Sequence, residues 1–202
     1  MNQKLLKLIC LTLSAASGDA LAESLPKNIL SQIPQGYTVL SSKNGELNND
    51  KLTDFIVVLR KSNEERYGDR QNDAPAPARP LLLFIQNPDG SFTLTKRNDH
   101  VVFKIDEGGQ CDPFENGAEG LAIKNHYFTV QNSVSCGHHW SVYITFRYAP
   151  ELHDWVFHKR ISESWVMNTS NDPKADAFIP GPRTVVAGKG KPPVLFEKYR
   201  AE

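Results

Sequence analysis

A mainly β fold, built as an antiparallel meander of hairpins behind one short helix, is predicted by two features of this sequence. The first is the continuous apolar run Phe55-Ile56-Val57-Val58-Leu59, rich in β-branched residues and of the length of a strand buried on both faces. The second is a series of three apolar segment pairs, each joined by turn residues at regular spacing, which indicates a meander rather than β-α-β units. Propeller-blade-like and sandwich-like packing both accommodate such a meander.

In chain order, residues 25–33 read as a short helix ended by Pro34, and 37–41 begin the β signals. Residues 62–79 form a long polar connection with three X-Pro steps (Ala74-Pro75, Ala76-Pro77, Arg79-Pro80), long enough to be disordered or functional. The first hairpin runs from 81–86 through Asn87-Pro88-Asp89-Gly90 into 92–96, with Pro and Gly where a type I turn and its glycine exit prefer them. The second pairs 120–124 with 127–131 across Asn125-His126. The third joins 141–148 to 155–159. Near the end, 184–186 and 194–196 read as short edge strands, since Pro192 and Pro193 are tolerated at an edge.

Residues 1–22 carry the order of a secretory signal. Lys4 and Lys7 precede a short apolar stretch, and Ala20-Leu21-Ala22 supplies a small-x-small cleavage site. Cys10 lies among Ile9, Leu11 and Thr12, which do not resemble a lipobox. The expectation is a periplasmic or secreted product, with 23–202 as a single β-rich domain. The 202 residues balance 23 basic against 23 acidic side chains. No basic stripe marks nucleic acid as a partner, and nothing after residue 22 reaches the ~20 apolar residues of a membrane span.

Export governs the cysteines. After the signal only Cys111 and Cys136 remain, and in an oxidising compartment two cysteines usually pair. Closing that loop is worth roughly 3–4 kcal/mol. The rival is a metal site joining both thiols to His138 or His139, although Cys136-Gly137-His138 lacks the usual zinc-ligand spacing.

The segment Gly45-Glu46-Leu47-Asn48-Asn49-Asp50-Lys51-Leu52-Thr53-Asp54 carries the chemistry. Glu46, Asn48, Asp50 and Asp54 alternate oxygen-bearing side chains along a short loop, and the Leu52 carbonyl adds a further ligand. Calcium takes six to eight such oxygens in an adaptable shell. Leu47 points the other way, as a core anchor. The alternative is a plain polar turn, which Asn and Asp favour without metal. Lys51 stands where such a loop often needs a positive φ, at about 1 kcal/mol for a non-glycine residue.

The loop, the 55–59 strand and the 81–92 hairpin together resemble one FG-GAP/VCBS-type repeat of the integrin-like propellers. That resemblance spans about residues 45–94 and implies Glu46, Asn48, Asp50 and Asp54 as side-chain calcium ligands and Leu52 as a carbonyl ligand. Only one copy is seen, whereas a propeller needs several blades. Glu46 and Lys51 depart from the family's Asp and Gly.

Weaker candidates are His138-His139-Trp140, as a metal or contact site, and Asp112, Glu115 and Glu119, as paired acids for glycan cleavage. Trp140 is expected in the core. No Gly-x-Ser-x-Gly or His-Glu-x-x-His occurs. The functional expectation is an exported binding or interaction module with a structural calcium loop, its partner an envelope or extracellular protein or glycan. The alternatives are an envelope glycan or peptidoglycan hydrolase and an inhibitor or immunity protein of a periplasmic enzyme.

Overall fold

A computed structural model describes residues 25–68, 74–114 and 120–201. The signal region with Cys10, Glu115, Glu119 and part of the 62–79 connection lie outside the described residues. The fold is mainly β, with two antiparallel sheets packed face to face. The first sheet holds β1 (Tyr37–Gly45), β2 (Asp54–Lys61), β3 (Arg79–Gln86) and β4 (Phe92–Val102) in chain order. The second holds β5 (Leu121–Lys124), β6 (Tyr127–Val134), β7 (His139–Ala149), β8 (Asp154–Met167) and β9 (Phe178–Ala187), also in chain order. Each sheet is a meander, so every pairing is local, and the packing is sandwich-like.

The apolar run behaves as its composition demands. Ile56 and Val58 enter the core between the sheets, with Leu81, Leu83, Phe128, Ile144 and Phe146. Phe55, Val57 and Leu59 face the other way and are covered by Ile29 of α1 (Lys27–Leu30), beside Leu82, Phe84 and Phe92. The strand therefore needs no polar face, because both sides are roofed. The helix is shorter than residues 25–33; Pro26 stands at its N-cap, and single-turn bonds carry the chain on to Ile33.

Turn chemistry sets the hairpins. Gly90 takes φ 83° and its N–H donates to the Asn87 carbonyl. Asn125 and His126 take φ 53° and 62°, the two positive angles of a type I′ turn. Polar ties join the sheets. Lys96 Nζ reaches Asp154 at 2.7 Å, and Asn132 accepts from the Phe103 N–H and donates to the Val101 carbonyl.

One expectation is corrected. Residues 194–196 do not form an edge strand: Leu195 makes one isolated bridge to Val156, and Phe196–Lys198 is a 3-10 turn. The preceding prolines withhold N–H donors, and Phe196 is worth more in the core, edge-on to Phe128 and Phe146. The described ends of the 62–79 connection are tied to the domain. Glu64, Ala76 and Arg79 are buried, and the Ala76 N–H donates to Asp106.

Candidate metal-binding loop and its surroundings

The loop after β1 is held from below. Gly45 lies so close to Ile123 of β5 that a Cβ would sit 2.7 Å from its Cγ2. Leu47 is fully buried, as expected of an anchor, and its carbonyl accepts from Trp155 Nε1 at 3.0 Å. Both sheets thus position the loop.

Its carboxylates converge. One oxygen from each of Glu46, Asp50 and Asp54 lies within 4.8 Å of the others. Glu46 Oε1 accepts from the N–H groups of Asn48 and Asn49. Asp50 accepts from the Leu52 N–H at 2.7 Å and from Asn48 Nδ2 at 2.9 Å. Asp54 accepts from the Leu47 N–H at 2.8 Å and the Gln86 N–H at 3.0 Å, closing the loop across its base. Lys51 takes φ 70°, the angle expected of that position. His126 Nδ1, from the type I′ turn of the facing sheet, lies 2.5 Å from Glu46 Oε2.

Oxygens gathered in this way suit a hard cation. Asp50 is exposed at the rim, Glu46 is half-buried and Asp54 forms the buried floor. Burial pushes the Asp54 carboxyl up to about 6, against the pull of its two backbone donors, and the charges of Asp50 and Glu46 add to the rise. A bound divalent cation would offset that cost. Glu46, Asn48, Asp50 and Asp54 would hold it by side-chain oxygens and Leu52 by its carbonyl.

The raised carboxyl has a pH consequence for the metal-stripped protein. Between pH 3.8 and about 6 the folded state holds the Asp54 proton more tightly than the unfolded state. Stability from this group therefore falls as pH rises through that window, by about 3 kcal/mol in all, and stays at the lower level above it. Urea midpoints in chelator from pH 4 to 7, on the protein and on Asp54→Asn, check this. The Asn variant should lack this component of the slope.

Among the other candidates, Cys111 and Cys136 are joined as a disulfide with Cα atoms 6.4 Å apart. Both thiols are consumed, so the rival thiolate metal site does not form. His138 is exposed, while His139 stacks on Phe178 with ring centroids 3.9 Å apart. Trp140 is only partly buried, tilted against Phe103 at the end of the core.

The sequence reading missed a buried charge cluster. Arg79 is 0% exposed at the start of β3. Its Nε and Nη2 donate to Glu64 at 2.8 and 3.0 Å, and its Nη1 and Nη2 donate to Asp112. Burial opposes the charge, but the bonds to Asp112 and Glu64 outweigh it and hold the guanidinium above its usual range. Asp112 is thus a structural counterion beside the disulfide. The only hint in the sequence is an arginine next to a strand-initiating proline.

No family model, no curated protein and no solved structure matches this chain. The functional reading therefore rests on the residues themselves.

Proposed function

We propose that the chain is an exported β-sandwich binding module whose 46–54 loop is ordered by one calcium ion. The convergence of Glu46, Asp50 and Asp54 within 4.8 Å carries the calcium half of this reading. The likeness of the loop to an FG-GAP/VCBS-type calcium loop supports it. Export is supported by the charge, apolar run and Ala-x-Ala order of residues 1–22 and by the disulfide, a bond that persists in oxidising compartments. Calcium here is structural: it neutralises the clustered charge and fixes the loop to both sheets. The hydrolase alternative draws no support from Asp112, whose carboxylate is spent on Arg79.

The test is a melting curve of metal-stripped protein with and without calcium. At a hundred times the dissociation constant, calcium contributes about 2.7 kcal/mol. That corresponds to a rise of about 5–10 °C for a domain of this size. Asp50 is exposed, so Asp50→Ala should fold and lose the rise. An unchanged melting temperature at millimolar calcium would reduce the loop to a turn.

A further inference from the structure

The solvent-facing side of the five-stranded sheet carries a second cluster of functional groups. Register places Tyr127 beside Arg147, Thr129 beside Thr145 and Lys159, and Tyr143 beside Ile161, all on one face. Lys124, opposite Tyr127 in the β5–β6 pair, extends the row. A bulge between Thr145 and Phe146 leaves His158 without a partner on β7, and its ring lies edge-on to Tyr127 at 5.0 Å. Two hollows of about 530 and 460 Å³ adjoin at Tyr127 and His158, which line both, and together they are called the groove below. The segment from Gly188 to Pro193 walls one end of it, bringing Lys189 and Lys191.

The charge of this groove is one-sided, although the whole chain is neutral. Lys124, Arg147, Lys159, Lys189 and Lys191 line it, and Glu151 is the single carboxylate among the described lining residues. Glu151 is 64% exposed and 3.9 Å from Arg147, a geometry worth little in water. Burial lowers the His158 pKa, and the charges of Lys159 and Arg147 lower it further.

We propose that this groove binds an acidic oligosaccharide, a chain of sugar rings bearing carboxylates. The cations supply the charge complementarity. Half-buried tyrosines offer an apolar ring face with a polar tip, suited to a ligand that is itself apolar on its ring faces and hydroxylated at its edges. The hydroxyl of half-buried Thr129, bonded at 2.9 Å to that of buried Thr145, adds an adaptable polar group between the rings. Lys124 and Lys159 stand three strands apart, roughly 14 Å at the usual strand spacing, so the charges address an extended ligand rather than a single ion. This inference rests on the reading of the chain as a binding module and is independent of the calcium loop.

Isothermal titration calorimetry with hexagalacturonate, neutral cellohexaose and a six-nucleotide oligothymidylate tests it. Hexagalacturonate should bind, cellohexaose should give no measurable heat, and the oligonucleotide should bind at least about tenfold more weakly. The double variant Arg147→Ala, Lys159→Ala should weaken hexagalacturonate binding at least about tenfold, and Tyr143→Ala at least about fivefold. The His158 ring-proton titration, followed by NMR on the unaltered protein, should move to higher pH when hexagalacturonate is added. That readout needs no variant to fold. Absence of heat at millimolar hexagalacturonate, equal binding of the oligonucleotide, or an unmoved His158 midpoint would overturn the proposal. A double variant that loses the sugar and keeps its calcium-dependent melting shift separates the two readings.

Discussion

Replacing Arg79 by alanine should destabilise the fold by about 3–5 kcal/mol, the range for breaking a buried ion pair. The cost comes from what is left behind. Glu64 and Asp112 have side chains only 1% and 9% exposed, and both accept from this one guanidinium, Asp112 accepting also from the Phe114 N–H. Without it, two largely buried carboxylates lose the cation they share. The melting temperature should fall by about 6–20 °C, at the scale of 2–4 °C per kcal/mol for a domain of this size. The triple change Glu64→Gln, Arg79→Met, Asp112→Asn should recover most of that loss, because it removes all three charges together. An Arg79→Ala protein as stable as the unaltered one would show that water reaches the cluster.

Removing the disulfide has the second large effect. Cys111 and Cys136 close a loop with a sequence separation of 25. The chain-entropy relation then gives about 3.5 kcal/mol of stabilisation, lost in Cys111→Ser, Cys136→Ser or on reduction. The bridge also does a local job. Cys111 adjoins Asp112, and the Pro113 carbonyl accepts from the Ser133 N–H at 2.6 Å, so the bridge fixes the segment that delivers the Asp112 carboxylate to Arg79. Disulfide removal and Arg79→Ala should therefore be non-additive, with a coupling of about 1 kcal/mol or more in a double-mutant cycle. Strict additivity would mean that Asp112 holds its place without the bridge.

These two sites differ in how far they can be read from sequence. The disulfide follows from counting the cysteines after residue 22 and from the expectation of export. Arg79 reads as the end of a polar connection, because its counterions lie 15 and 33 residues away and no local pattern joins them. The same separation hides the groove. Tyr127, Tyr143 and Lys159 each read as an ordinary outward residue of a half-buried strand, and only the register of β6, β7 and β8 makes them neighbours. Residues 194–196 fail for a related reason: Val-Leu-Phe has strand composition, but Phe196 finds more apolar contact under Phe128 and Phe146 than an edge offers.

The amino-acid sequence by itself determined the β class, the three hairpins, the doubly buried β2 strand and the alternating oxygens of the 46–54 loop. Each depends on residues within about a dozen positions, where side-chain period and turn φ angles act directly. The tertiary structure alone decided that the hairpins divide into two packed sheets, and that α1 roofs the outer face of one of them. It also decided that Arg79 lies between two distant acids and that cations of the second sheet and of residues 188–193 line two adjoining hollows. Those outcomes depend on which apolar faces exclude water from each other, a property of surfaces that exist only once the strands have paired.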